Sequence, residues 1–548
     1  MARALHQRRG RPLIMPLDPS IPGVEVKPVP FWAPAKGVDY RSRITNVPRE
    51  FTSDALNMLV RDGVWYSRYG VVRVGTTISG VTAVAKFITS HGVAHLIAFR
   101  PGTTQARWDG AAWQAIPGSY TLAASATQFT HTEFGDNLIF SNGVDGMYVF
   151  DPSRGDIQRI DGAPSAKHLT TFAGRIIASS VRDPNVNASR IRWCVNRNFR
   201  DWTGLGSGYE DLLSTPGGDI DRQGGVFPLD DTNALVIRTE SLWAMTATGL
   251  SDAPFRFTRM VGMKGSDAPY SAAVTPYGVM FLGIDDITLV GLGTFEEIGR
   301  NVKDRILDNV TDIERVVGTY VPDAYNPRTG EYCLLVPEND ATYIYRAPVP
   351  GKEWSRHQLA VNPTWLTYVR GGNLPLTIDG LGAIEPTIDE LGNTFPTIDS
   401  MVGAADHGPG LVFCSTNVVS REDASTSQDD FTGTPADASI LLVTGAIVAG
   451  DPFHYTNILE VALLYEASET QTLVFEYSAN AGTSWSAYGS HVVVATNRPR
   501  TLAMRKTVEG YNFIIRMRST TIGKLKVHSL VPSIQVGKPV QDFDSGIS

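Results

Sequence analysis

Short apolar runs recur through the first two-thirds of the chain: Leu96-Ile97-Ala98, Leu138-Ile139-Phe140, Ile176-Ile177-Ala178, Leu235-Val236-Ile237, Val279-Met280-Phe281 and Cys333-Leu334-Leu335. Their first members step by 42, 38, 59, 44 and 54 residues, close to the length of four strands with their loops. A second strand follows each run and usually carries an aromatic: Trp108, Tyr148, Trp193, Trp243, or Tyr343 with Tyr345. The fifth copy offers Ile287 to Val290 without one. Third segments come next: Trp113 to Ile116, Ile157 to Ile160, Asp201 to Leu205, Phe255 to Met260, Phe295 to Ile298 and Trp354 to Leu359. Upstream stretches such as Val81 to Ile88 and Lys167 to Phe172 supply a first strand, so each unit predicts one four-stranded antiparallel sheet.

A lone sheet of four strands has two faces to cover and two open edges. Packing such sheets face to face around an axis buries the apolar faces and leaves only short edges. Six units therefore predict a β-propeller. The segment Asn57 to Val74, with turn signals at Asp62-Gly63 and Tyr69-Gly70, is either a further blade or the strand that closes the ring, giving six or seven blades. A long β-sandwich chain is the competing architecture, because it also spaces its strands evenly. One helical interlude is expected where Ile298, Val302, Ile306, Val310 and Ile313 follow helical spacing.

Between Leu374 and Met401 stands a ten-residue repeat: Thr377-Ile378-Asp379, Thr387-Ile388-Asp389 and Thr397-Ile398-Asp399. An even period suits extended chain, and the proline in each copy excludes a central strand, so the copies predict Asx-type turns rather than a metal site. The even spacing of Asp379, Asp389 and Asp399 makes this loop a candidate surface for a neighbouring subunit. From about Leu411 the pattern changes: Ile440 to Val448, Ile458 to Tyr465, Thr472 to Tyr477, His491 to Ala495, Phe513 to Met517 and Leu525 to Val531 read as a β-sandwich. The expected organisation is an all-β chain: 1–45 an N-terminal arm and closing strand, 46–365 the propeller, 366–410 the repeat insertion, and 411–548 a C-terminal β-sandwich.

Composition supports short strands joined by turns: among 548 residues there are 52 Gly and 33 Pro, and only 19% are charged. The net charge of −8 lacks the basic surplus of a non-specific nucleic-acid binder. A local exception is Arg3, Arg8, Arg9 and Arg11, either a solvated tail or an arm that docks on an acidic partner. Three widely spaced cysteines, Cys194, Cys333 and Cys414, make neither a disulfide framework nor a zinc site. No apolar run reaches the ~18 residues of a membrane span, and arginines and prolines break any signal-peptide core. A soluble chain made in the cytosol is expected.

Chemistry is scarce. No nucleophile elbow, phosphate loop, HExxH or CxxC is present. His91 and His95 are four apart, about 13 Å on a strand and too far to share zinc. Asp230-Asp231 and Asp285-Asp286 fall where turns are expected. Tyr477 to Trp485 resembles the Asp-box hairpin of sialidases, with Asn480 where the Asp would sit, and that box is a structural turn. The expectation is no enzyme, no cofactor and no metal.

Several segments together resemble bacteriophage tail-tube proteins called nozzles. They are Asn57-Met58-Leu59-Val60-Arg61-Asp62-Gly63 followed by Arg68-Tyr69-Gly70, then Arg190-Ile191-Arg192-Trp193 with Asp201-Trp202, the Thr-Ile-Asp repeat, and a sandwich ending in Ile534-Gln535-Val536. The likeness spans about Val24 to Val540 and rests on order and spacing. It implies a virion structural protein made in the bacterial host, a hexamer joined to the portal or adaptor ring and other tail proteins, with genomic DNA passing through the ring of subunits without sequence-specific contact. Since each phosphate neutralised adds affinity, the lumen surface is expected to be neutral to acidic. Two alternatives stand beside it: a receptor-binding or glycan-degrading tail-spike propeller, and a cellular propeller that scaffolds protein interactions.

Overall fold

A computed structural model describes residues 26–28, 35–109, 112–118, 120, 122–126, 128–182, 186–212, 223–323, 329–369, 410–447, 454–510, 513–519 and 523–539. Seven consecutive four-stranded antiparallel sheets make a seven-bladed β-propeller. Blade one comprises Ala83–Ile88, Ala94–Phe99, Ala106–Trp108 and Trp113–Ala115, and blade two runs from Thr130–Phe134 to Asp156–Arg159. Blades three to six start at Ser165–Phe172, Gln223–Pro228, Ala273–Thr275 and Val317–Pro322. Each apolar run found in the sequence is the second strand of its blade, buried on both sides: all of Val279, Met280, Phe281 and Leu282 are at most 1% exposed. A strand covered on both faces needs no alternation, which is why these runs are continuous.

Blade seven closes the ring in an unexpected way. Its first three strands are Trp365–Val369, Gly410–Ser415 and Val418–Asp423, and its fourth is Gly70–Arg73, paired from Asp423↔Gly70 to Ser420↔Arg73. Its innermost strand then packs against that of blade one. The boundary expected at 411 therefore moves: Gly410 to Asp423 complete the propeller, and the sandwich resumes at Ile440. The closing strand likewise lies at Gly70–Arg73 and not within 1–45. The repeat insertion falls, along the chain, between the first two strands of blade seven, and its Asp379, Asp389 and Asp399 are outside the described residues.

The sandwich draws on both ends of the chain. One sheet has the order Met58–Arg61, Val64–Ser67, Leu525–Pro539, His454–Ala467, Thr496–Gly510, with Val26–Pro28 also pairing with Leu525–Pro539. The other has the order Asp54–Leu56, Ile440–Val443, Ile514–Ser519, Gln471–Ser478, Ser486–Val493. Residues 54–67, expected within the propeller, thus belong to the sandwich. In the long strand His454–Ala467, Val461, Leu463, Tyr465 and Ala467 point into the core in strict alternation. Ile458 belongs to the opposite phase, and the register shifts between Ile458 and Glu460, so a bulge absorbs the slip.

Two other expectations change. Asp201 to Leu205 is a turn and the outer strand of blade three is Gly208–Asp211, because the Asp201 carboxylate takes the N–H groups of Thr203 (3.1 Å) and Gly204 (2.7 Å) and offers the backbone a partner other than a ladder. The helical interlude shrinks to Lys303–Asn309, followed by a 3-10 turn at Ile313–Arg315. Thr311 ends it by donating its N–H to the Pro337 carbonyl at 2.9 Å.

Sandwich and propeller share one apolar cluster. Trp65 of the sandwich and Trp354, Tyr332 and Tyr345 of blade six are all fully buried within it, alongside Leu442, Phe475 and Met517. Each such side chain contributes about 1.5–3 kcal/mol on burial, so the two bodies are one cooperative mass rather than beads on a linker.

Candidate functional site: the seam between propeller and sandwich

The seam is where the chain leaves the strand Val64–Ser67 of the sandwich and enters the closing strand Gly70–Arg73 of the propeller. Asn57 in the left-handed region (φ 59°) turns the chain, and Asp62 and Gly63 (φ 49° and 77°) make the hairpin that returns it. Gly70 is compulsory: a β-carbon there would stand 2.2 Å from the Gln428 carbonyl oxygen.

Arg68 ties the junction. Its Nε donates to Asn57 Oδ1 (3.0 Å), one Nη to the Tyr69 carbonyl (2.9 Å) and Asp429 Oδ1 (2.7 Å), and the other to the Gln358 carbonyl (3.1 Å) and Asp429 Oδ2 (2.6 Å). All five donors of the guanidinium are used. Arg68 and Asp429 side chains are 2% and 0% exposed. Asp429 also accepts from the N–H of Ala360 (3.0 Å), and Asn57 Oδ1 from that of Gln358 (2.9 Å). One side chain thus joins the sandwich hairpin, the outer strand of blade six and the loop after blade seven.

A second ionic chain runs beside it. Arg61 of the sandwich meets Glu331 of blade six at 2.7 Å, Glu331 meets Arg346 at 2.6 Å, and Arg346 meets Glu422 of blade seven at 2.6 Å. Burial would raise the Glu331 carboxyl, but Arg346 and Arg61 outweigh it and hold the group down at about 2. Arg356 bridges to Asp54 at 3.1 Å and lies over the rings of Tyr343 (4.7 Å) and Tyr40 (5.6 Å).

The propeller axis is blocked. His168 is on the innermost strand of blade three, Trp365 on that of blade seven, and Tyr270 stands just before that of blade five. These blades are not neighbours, yet the His168 and Tyr270 rings lie 4.7 Å apart and those of Tyr270 and Trp365 6.1 Å, which is possible only near the axis. Gln128, ahead of blade two, likewise reaches the Glu314 carbonyl ahead of blade six at 2.6 Å. Burial pushes the His168 imidazole down to about 3, so the plug is uncharged at neutral pH.

Other residues singled out in the sequence have structural surroundings. His95 stacks on Phe87 and meets Phe150 edge-on, and burial, then Arg107, push it down to about 4. Asp230 caps a turn, and Asp286 is buried against the Gly299 N–H and Lys303. Cys194, Cys333 and Cys414 are all free and buried; burial lifts the Cys333 thiol to about 12. Asn480 does hold the Tyr477–Trp485 turn, accepting from the Ser484 N–H (3.0 Å) and donating to its hydroxyl (2.8 Å). Among the described residues no group of three His, Cys, Asp or Glu side chains could hold a metal ion. A groove of about 250 Å³ lies between blades three and four, under Leu205 and Leu250. Arg3, Arg8, Arg9 and Arg11 lie outside the described residues. Asp429 and Glu331 drew no attention in the sequence, since each stands hundreds of residues from its sandwich partner; Arg68-Tyr69-Gly70 was the visible half of the seam.

No family model and no curated protein matches the chain. Among solved structures it is similar to BBS1N in complex with ARL6DN, in mercury- and lead-soaked crystals, at 8% identity over 66% of this chain and 99% of that one, with TM-scores of 0.38 and 0.39. It is also similar to a family 6 carbohydrate-binding module at 13% identity over 18% of this chain and 69% of that one, with a TM-score of 0.14. Likeness at this level carries no ligand or partner across.

Proposed function

We propose that this chain is a structural subunit of a bacteriophage tail, a nozzle or tail-tube protein that assembles as a ring below the portal or adaptor, retains packaged DNA and conducts it at ejection. The observation that carries the proposal is how the chain spends the segments that resemble nozzles. The Asn57–Gly63 hairpin and Arg68-Tyr69-Gly70 weld the two bodies together, giving a stiff wedge fit for mechanical duty. The blocked axis agrees with a passage formed between copies rather than through one propeller. A net charge of −8 suits a conduit that should not grip phosphate. In this proposal the arm with Arg3, Arg8, Arg9 and Arg11 and the repeat with Asp379, Asp389 and Asp399 serve contacts to neighbouring subunits.

The test is the mass of the purified protein in solution, with antibody labelling of particles. Rings of six or twelve and label at the tail support the proposal. Trimers with glycan hydrolysis would replace it with the tail-spike alternative, and a monomer with the cellular scaffold. A continuous basic lining in an assembled ring would contradict the conduit.

A further inference from the structure

Arg175 is a buried charge without a counter-charge. It opens the second strand of blade three, Arg175–Arg182, and is 6% exposed. The buried arginines of the seam each meet a carboxylate: Arg68 meets Asp429, Arg346 meets Glu331 and Arg356 meets Asp54. Arg175 meets none among the described residues; burial lowers its pKa and only the Cys194 thiol opposes that. Its Nη1 donates to the carbonyls of Cys194 (2.9 Å) and Gly206 (2.8 Å). That leaves Nε and Nη2, the edge on which a carboxylate is held by two parallel hydrogen bonds. A guanidinium so far from water is costly unless an anion stands beside it.

Arg175 lines the groove of about 250 Å³ between blades three and four. Turns from the same end of the two blades form it: Ala173-Gly174 and the loop through Leu205-Gly206 of blade three, and the loop through Leu250-Ser251 of blade four. Gly206 (φ 89°) keeps the guanidinium within reach, because a β-carbon there would stand 3.5 Å from Nη2 and 3.2 Å from the Ser251 carbonyl oxygen. The walls are apolar: Leu205 is 88% exposed, Leu250 59%, and Phe255 half-buried, with Asn196 exposed beside them. No acidic side chain lines the groove. Pockets for drug-sized ligands run to about 300–1,000 Å³, so this smaller one takes a group the size of one residue.

We propose that this groove binds a carboxylate carried on a branched apolar group, the carboxylate on Nε and Nη2 of Arg175 and the apolar group among Leu205, Leu250 and Phe255. A free small acid and the C-terminal residue of a peptide share that chemistry. The apolar walls alone would not prefer an acid to its amide, and the guanidinium alone would not prefer a branched group, so the pair sets the selectivity. The site stands whether or not copies of the chain form a ring.

Saturation-transfer NMR on the full chain tests it with 4-methylpentanoate, acetyl-glycyl-leucine and the amides of both. An acid that binds should do so at least ten-fold more tightly than its amide, with saturation strongest at its branched methyl groups, and should weaken as salt is raised. Binding of 4-methylpentanoate supports a free acid as the occupant, and binding of acetyl-glycyl-leucine alone supports a chain terminus. Arg175→Met should weaken the acids at least ten-fold and leave the amides unchanged. That variant also removes two hydrogen bonds to the backbone, so Asn196→Asp, at an exposed position, sets a like charge beside the ligand without touching the fold and should weaken the acids alone. Leu250→Ser should weaken acids and amides alike. If Arg175→Met fails to fold, Asn196→Asp decides. Neither acid binding, acids that bind no better than their amides, or acid binding that Asn196→Asp leaves unmoved overturns the site.

Discussion

Removing one half of the Arg68–Asp429 pair should loosen the propeller at the seam. Arg68→Met leaves the Asp429 carboxylate, 0% exposed, without its counter-charge, and takes away the side chain that reaches Asn57, Tyr69, Gln358 and Asp429 together. Stranding one member of a buried ion pair costs about 3–5 kcal/mol. Asp429→Asn strands the guanidinium instead, and costs somewhat less because the amide oxygen still accepts a hydrogen bond. The double variant removes both charges, so its loss should fall short of the sum by about 2–3 kcal/mol. Guanidinium unfolding followed by tryptophan fluorescence measures this coupling. Hydrogen exchange locates it: protection should fall in Gly70–Arg73 and Val418–Asp423 and stay unchanged in Asn137–Ser141 of blade two. Single-variant losses that add to within about 0.5 kcal/mol, or exchange that rises evenly over all blades, would refute the coupling of ring closure to the sandwich.

Further outcomes are expected. Gly70→Ala drives a β-carbon against the Gln428 carbonyl and should lower stability by about 1–3 kcal/mol in the same unfolding assay, with no new activity. Glu331 has a folded-state pKa of about 2, below its ordinary 4.5, so its ionic contribution is full above pH 4.5 and is lost as the pH falls toward 2. Glu331→Gln should therefore flatten the acid limb of a stability–pH curve between those values; an unchanged slope would show that Arg346 and Arg61 do not hold it. Cys194, Cys333 and Cys414 are buried, so a thiol reagent should count none in the native protein and three in guanidinium; a fast-reacting native thiol would contradict the core packing.

The blades were legible because their physics is local. A strand covered on both faces must be apolar at every position, so Leu138-Ile139-Phe140 and its counterparts announced themselves, and the hairpins that follow obeyed turn chemistry that neighbours in sequence supply. Six of the sandwich strands were readable too, but Thr496–Gly510, an edge strand mostly exposed and carrying Arg498, Arg500, Arg505 and Lys506, was not, and neither was the bulge in His454–Ala467 that reverses the side chains beyond it.

Closure and charge were decided elsewhere. Whether Asn57 to Val74 would form a blade could not be settled by alternation, since the segment divides its loyalty: Met58 to Ser67 bury against the sandwich, and Gly70–Arg73 pair with a strand some 350 residues on, as Arg73↔Ser420. Asp201 shows the same limit at short range, where one carboxylate taking two backbone N–H groups outbid a strand. Glu331 and Asp429 acquired their roles only when folding excluded water around distant arginines, because a charge has no fixed worth until its surroundings set the dielectric. Sequence alone determined the sheets of blades one to six, through periodicity and turns; tertiary structure alone decided the seventh and which end of the chain closes it, because strand pairing and ion pairing act through space and leave no local trace.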